Sequence, residues 1–514
     1  ITAVSVKVDF DNIEQRIVGL PVQASNYSHL TSVGSKLYYN RNGSKDEKTR
    51  LLMYDLDKQE EKDLGQINGY EISADQKKML VGQNGSYAII DLPADEVKIN
   101  DKLDLSDMQV DLNRRAEWKQ IFNECWRQMR DFFYAPNMNG VNWPAVRKKY
   151  APLVEYVNHR NDLTYIIGEM IGELSIGHTY VGGGERPEAK RFKTGLLGAE
   201  LIKDNASGYF KINKILSGQN WDKSLISPLQ AIGVDADEGD FILSVDGKST
   251  KGMNNIYASL VNKAGEQVVL ELNSKPQENG KRTVTVIPIA DESDLYYYDW
   301  VQTNVKKVNK ATDGKVGYVH IPDMGRGGLN EFVKQFYPQI RKKALIVDVR
   351  GNGGGFVSGM IVERLRREIA MITIARNSIP KTDPNEMIYG PMVCLADEFS
   401  ASDGDIFTYR FKKYNLGKVI GKRTWGGVVG IRGSLPLLDG GQLYKPEYSR
   451  YNVEGTKWII EGVGVEPDIY VDNDPAKEFA GEDQQLERAI KEILDELKTK
   501  EKTIPGPPPY PDRR

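Results

Sequence analysis

Alternation of apolar and polar residues dominates the first hundred positions. RLLMYDL (50–56), GYEISADQKKMLVG (69–82) and SYAIIDL (86–92) alternate with turns between them, the period-2 pattern of half-buried strands. ITAVSVKVDF (1–10) begins in the same rhythm, as though the sequence were part of something larger. From Asn113 the period changes. RRAEWKQIFNECWRQMRDFFY (114–134) spaces its apolar residues at three and four and predicts an amphipathic helix; NWPAVRKKYAPLVEYV (142–157) and LTYIIGEMIGELS (163–175) predict two more. A β-rich stretch follows over about 191–290. The rhythm then changes again: KVGYVHIP (315–322), ALIVDVR (344–350) and MVCLA (392–396) are short, nearly continuous apolar runs, as in strands buried on both faces. Helical segments separate them at 329–343, 357–370 and 404–414, which is α/β crossover architecture. A charged amphipathic helix over 483–500 precedes a proline-rich tail that is expected to lack fixed structure.

A chain of 514 residues is too long for one core. The expectation is a multidomain α+β protein. Residues 1–97 are read as β-propeller-like remnant blades, a small β-sandwich being the alternative, and 98–190 as a helical domain. Residues 191–290 form a third domain, 291–500 an α/β core, and 501–514 the tail. Within the third, SPLQAIGVDADEGDFILSVDGKST (227–250) reads as an aliphatic helix followed by GD-x-IL-x-V-D-G and resembles a PDZ domain. Such domains take peptide C-termini by strand addition, backbone amides receiving the carboxylate. GLLGAELI (195–202) is the expected receiving edge; the alternative is a spacer or lid.

Composition narrows the function classes. With 40% hydrophobic and 27% charged residues and a net charge of −3, the chain has no electrostatic footprint for nucleic acid or anionic membrane. No apolar run reaches the length of a membrane span. Cys125 and Cys394 are too few for a disulfide framework and read as buried small hydrophobes. No metal motif is found, and no cofactor is expected. No leader precedes Ile1, which leaves a cytoplasmic or periplasmic location open.

Two segments carry candidate chemistry. In MVCLADEFSASDGDIF a buried strand ends, a polar turn follows and a helix begins near Asp403. A serine at such a turn sits at the carboxyl end of the sheet and at the positive end of a helix dipole; helix capping by Ser400 or Ser402 is the plain alternative. In LIVDVRGNGGGFVSG, consecutive glycines let backbone amides approach a ligand oxygen. No GK[ST] follows, and the G-x-G-x-x-G spacing is absent, so a nucleotide is not expected. A serine nucleophile needs a base. Of the four histidines, His29 lies among the early strands, His159 opens a helix and His320 sits inside a strand. His178, between a helix and a GGG turn in an accessible place, is the best-placed candidate.

With these pieces in order, the chain resembles the tricorn branch of the C-terminal processing peptidases over about residues 100–498. DVRGNGGGFVSG, SASDGDIF, RTWGGVVG and GVGVEPD carry the resemblance. It implies a crotonase-like α/β catalytic core and a serine endopeptidase working through an acyl-enzyme without ATP. Ser402 is then the nucleophile with Ser400 as rival, and His178 the general base. The oxyanion hole is the N–H groups of Gly355 and Asp403, and Glu461 is the acid that orients the histidine. The related serine–lysine dyad fails, because Gly427 stands at the lysine's position and Lys422 is out of place. Two departures follow. The family's relay serine before the histidine is Gly177 here, which leaves Glu461 to reach His178 directly, through water, or through Ser175 or Thr179. Thr373 replaces the aspartate that selects basic side chains, so cleavage after Lys or Arg is not expected. The implied partners are peptides or unfolded polypeptides and further copies of the chain. The alternative, drawn from the missing relay, is an impaired peptide-binding pseudo-peptidase using the PDZ unit.

Overall fold

The computed structural model describes residues 9–43, 46–186 and 188–513, so the opening strand expected in ITAVSVKVDF lies outside the described residues except for Asp9 and Phe10, which are irregular. Two compact units divide between Leu112 and Asn113. The first holds two antiparallel meanders. One runs Asn26–Val33, Lys36–Gly43, Asp46–Asp55 and Glu60–Gly65; the other runs Gly69–Ile72, Lys78–Gln83 and Ser86–Asp91. Tyr38, Leu51, Met53, Leu64, Met79 and Val81 interlock between them. Sheets of this plan, laid face to face, are how propeller blades pack. The strand Lys36–Gly43 escapes a period-2 reading because four successive residues, Tyr38 to Arg41, are buried on both faces.

The second unit opens with α1 (Arg114–Phe132), α2 (Trp143–Tyr150) and α3 (Arg160–Gly172). Asn113, Asn142 and His159 cap them with side-chain acceptors. The single helix expected over 142–157 is broken: Pro152 has no N–H to donate, and Ala151–Tyr156 tightens into a 3₁₀ turn. The third helix starts ahead of its expected position, because His159 and Asp162 close a reciprocal capping box.

A five-strand antiparallel path follows, in the order Arg282–Val286, Val268–Asn273, Phe241–Val245, Phe210–Ile215 and Ala199–Lys203. Ala199–Lys203 lies at the edge, within the segment expected to receive a peptide. The aliphatic helix expected ahead of Phe241–Val245 in sequence is only a 3₁₀ turn, Pro228–Gln230. Gly233, at φ +88°, bends the chain away before a second turn can form.

The core is a parallel sheet of Val316–His320, Ala344–Asp348, Met392–Ala396, Gly417–Gly421 and Ile469–Tyr470, in sequence order. Val319, Leu345, Val347, Cys394 and Val419 point to one face, covered by α5 (Arg326–Phe336), α6 (Ser358–Leu365) and α7 (Asp403–Lys413). Tyr318, Ile346, Val393, Leu395 and Ile420 point to the other, where the short α8 (Pro475–Phe479) leads into α9 (Gln484–Lys500) and α9 shares the cover with α4 (Ser293–Ala311). The helix α4 was not expected: its buried positions, Leu295, Val301, Asn304 and Val308, hide among aromatic and polar residues. The helix α6 stops at Leu365 rather than 370, and no residue of the RREIA stretch beyond it is buried. Cys125 and Cys394 are both free and buried. Among the described residues no helix is long and apolar enough to cross a membrane.

Candidate active site

Ser402 stands between the buried strand Met392–Ala396 and α7, at the N-cap of the helix. It does not cap: no side-chain bond closes the first turn, and its backbone sits at φ 55°, ψ −114°. A non-glycine residue held there is strained and persists only where its surroundings over-determine it. They do. Ser400, fully buried, donates its hydroxyl to the Val349 carbonyl at 2.8 Å, and the Ala401 N–H donates to the Asn352 carbonyl at 2.7 Å. The Asp403 carboxylate turns back to α6, accepting the Ser358 N–H at 2.8 Å and its hydroxyl at 2.5 Å. Asp405, buried one turn into α7, accepts from Thr424 and from the Gly426 N–H.

The glycine loop faces this turn. Asn352 accepts the Gly354 N–H at 2.9 Å and donates to the Ile321 carbonyl at 2.8 Å. A Cβ on Gly354 (φ +95°) would come within 2.5 Å of the Ser402 Cβ, so a side chain there collides with Ser402. A Cβ on Gly355 (φ +148°) would run into the Met324 carbonyl oxygen. Among the described residues neither the Gly355 N–H nor the Asp403 N–H donates a hydrogen bond. Both are donors in reserve near the hydroxyl, the second at the positive end of α7. Arg350, immediately before the loop, forks onto Asp348 and reaches Asp483 at the N-cap of α9 (2.9 Å) and Gln485 (3.2 Å).

His178 arrives from the helical part of the second unit. Tyr180–Gly182 pairs with Gln442–Tyr444, and a buried ion pair at 2.5 Å ties Arg160, at the start of α3, to Asp439 in the turn before Gln442. The imidazole Nε2 lies 3.1 Å from the Ser402 hydroxyl oxygen. Trp425 and Tyr180 meet the ring edge-on, centroids 5.7 and 6.0 Å away. The site is half-buried rather than the accessible loop expected. Burial holds the His178 pKa below its ordinary value; Arg450 adds to this and the negative charge of Glu461 opposes it.

Glu461 does not touch the imidazole. One carboxylate oxygen accepts the Gly177 N–H at 2.9 Å, and the other accepts Val428 N–H (2.6 Å) and Val429 N–H (2.9 Å). The acid therefore anchors the histidine loop by its backbone. His178 Nδ1, buried, has no hydrogen-bond partner among the described residues. Ser175 and Thr179 do not fill the gap: the Thr179 hydroxyl points to the Ile176 carbonyl at 3.4 Å.

Lys422 is held by Glu398 at 2.7 Å and Asp472 at 3.2 Å, which raise its pKa, the opposite of what a base needs. Thr373 lies on an exposed hairpin, Met371–Thr373 against Lys381–Asp383, directly across from Lys381. No described hydrogen bond or ring contact joins it to Ser402. Sequence reasoning missed Trp425 and Tyr180 as walls of the histidine and Asn352 as the brace of the glycine loop. RTWGGVVG and GNGGG contain two of them, but a residue that works by packing or through backbone bonds leaves no composition signal. Together the pieces set a hydroxyl beside an imidazole and two unpaired amides, the arrangement that acyl transfer requires.

Three family models match the second unit: the tricorn protease C1 domain over 114–172, the tricorn protease PDZ domain over 195–291 and peptidase family S41 over 315–471. Tricorn protease homolog 1 of Streptomyces coelicolor is 35% identical over 98% of this chain and 49% of its own length. The tricorn protease homolog of Saccharolobus solfataricus is 34% identical over 95% and 46%, and the tricorn protease of Thermoplasma acidophilum 31% over 90% and 43%. A crystal structure of the tricorn protease superposes with a TM-score of 0.86 at 30% identity, covering 97% of this chain and 49% of that one. The chain thus spans about half the length of the curated relatives it matches.

Proposed function

Because the chain belongs to the tricorn protease family, we propose that it is a serine-type endopeptidase acting on peptides or unfolded polypeptides without ATP. The observation that carries this reading is the 3.1 Å approach of His178 Nε2 to the strained Ser402 hydroxyl. In the proposed reaction His178 takes the Ser402 proton as the hydroxyl oxygen attacks the peptide carbonyl. The carbonyl oxygen, now negative, is received by the N–H groups of Gly355 and Asp403. The tetrahedral species collapses, His178 gives its proton to the leaving amine, and water hydrolyses the ester on Ser402 by the same steps. Glu461 is a positioning residue in this scheme, acting through the Gly177 amide. Ser400 is set aside as nucleophile because its hydroxyl is already committed within a closed turn.

Specificity follows from charge. Thr373 is neutral and faces Lys381 across its hairpin, so a cationic side chain bound there meets repulsion rather than a carboxylate. Small or apolar residues before the cut are expected, and a peptide panel with strong preference for Arg would overturn that assignment. Association with further copies of the chain completes the reading; light scattering tests it.

The unbonded Nδ1 favours one competing reading, a peptide-binding protein with impaired catalysis. Fluorophosphonate labelling decides between them. Labelling of Ser402 that disappears in Ser402→Ala and His178→Ala supports the peptidase; an unlabelled, folded chain supports the other.

A further inference from the structure

The turn GLLG (195–198), which leads into the edge strand Ala199–Lys203, is where the PDZ plan leaves backbone amides free for the carboxylate of a peptide C-terminus. Here an internal carboxylate sits on that turn. Gly195 donates to the Leu260 carbonyl at 2.7 Å and Leu196 to the Ile289 carbonyl at 2.8 Å, and at the end of the turn Glu292 accepts the Gly198 N–H at 3.1 Å. Its position makes the choice notable: Glu292 occupies the N-cap of α4 yet makes no capping bond, while Asp291 takes the Ser293 N–H at 2.9 Å instead.

The apolar half of the ligand position is filled as well. Leu295, one turn into α4 and only 1% exposed, brings its Cδ1 within 3.1 Å of a Cβ placed on Gly198, and Pro228 closes the other side at 2.9 Å. Beyond the turn, Lys214 pairs with Asp299 at 2.6 Å and Gln219 donates to the Tyr298 hydroxyl at 3.0 Å, laying α4 along the domain.

We infer that the start of α4 occupies the PDZ ligand site in cis, Glu292 standing for the terminal carboxylate and Leu295 for the last side chain. The site is an autoinhibited receptor for peptides with a free carboxylate and an aliphatic last residue. A peptide gains access only when the start of α4 lifts, so the protein in its folded form does not grip substrate C-termini there. Because α4 also covers the parallel sheet through Val305 and Val308, the helix cannot leave whole; only its first turn is free to open. The inference rests on the PDZ fold and not on the peptidase reading.

The test is fluorescence anisotropy with a labelled hexapeptide ending in Ala-Leu, compared as free acid and as C-terminal amide. Ser402→Ala serves as the background so that the probe survives. Expected: this protein does not distinguish the two forms, whereas Glu292→Gln/Leu295→Ala added to it binds the free acid at least about tenfold more tightly than the amide. Preference for the acid before the two further substitutions, or no preference after them with the melting temperature retained, overturns the inference. If those substitutions prevent folding, hydrogen exchange on the unaltered chain decides. Slow exchange of the Gly198 amide, whose described acceptor is the Glu292 carboxylate, indifferent to excess free-acid peptide, supports occupancy in cis; fast exchange there, or protection that appears only with peptide, refutes it.

Discussion

The two halves of the candidate active site are built to different standards. On the serine side every strained element is braced: Asn352, Ser400, Asp403 and Asp405 each close backbone or side-chain bonds around Ser402. On the histidine side a loop between α3 and a short strand carries the ring. Its one tether to the acid is the Gly177 amide, and one ring nitrogen has no described partner. The difference teaches which half of the proposed site is rigid and which is left adjustable. A nucleophile at a strand–helix turn inherits the rigidity of the sheet, whereas a base on a loop is only as well aimed as its outer contacts make it.

Four experiments press on this contrast, and the largest effect is expected first. Ser402→Ala should lower kcat by about 10⁴–10⁶-fold with the melting temperature unchanged; residual cleavage within about tenfold of the parent would place the nucleophile elsewhere. Gly354→Ala should cost about 10²–10³-fold, comparable to loss of an oxyanion donor, because its Cβ displaces Ser402. Gly351→Ala, which shares the strain of a positive φ (+69°) but whose Cβ meets nothing within 4 Å, is its control. Equal losses in the two would show the loop to be less braced than described.

Glu461→Gln probes the weaker half and should cost about 10–10²-fold, less than loss of the acid in a directly bonded triad. Its pH profile carries a sign. Burial lowers the His178 pKa and the Glu461 charge raises it. Removing that charge leaves the imidazole neutral to still lower pH, so the acid limb of kcat/KM should move down. Movement upward would contradict the assigned electrostatics. Gly177→Ser should have the smallest effect and the opposite direction. Gly177 has no positive φ, and a Cβ there meets Glu461 Oε1 at 3.3 Å and Gly427 Cα at 3.2 Å, tight contacts that need only slight adjustment. A hydroxyl able to serve Nδ1 is worth about 1 kcal/mol, or roughly five- to tenfold in kcat. An unchanged rate would mean that Nδ1 needs no partner.

The parallel strands were readable because short runs of Val, Ile and Leu between turn residues suit little besides a strand buried on both faces, and α1 to α3 because their periods and caps agree. The helix α4 was not. Its DLYYYDW opening mixes the aromatic side chains that contact His320 with the groups that hold the PDZ unit, so no single polar face remains. The approach of His178 to Ser402 was legible because histidines are few. The actual partners of Glu461 were not, since three backbone amides accept any side chain at their own positions and leave no trace in the residue types. The alternation that marked the first unit's strands missed Lys36–Gly43 for a related reason: burial on both faces erases the pattern.

Arg350 ties the glycine loop to Asp483, 133 positions downstream, and Leu486, Ala489, Ile493 and Leu497 beyond it complete one face of the catalytic sheet. This sets a schedule for biosynthesis. When Ser402 is added to the growing chain about 80 residues remain before the anchor of Arg350 is translated, roughly 4–16 s at about 5–20 residues per second. Until then the loop beside Ser402 is held by its Asp348 and Asn352 bonds, and α4 alone covers the sheet face that α9 later shares. The bonds around the glycine loop are thus complete only once α9 has begun to form.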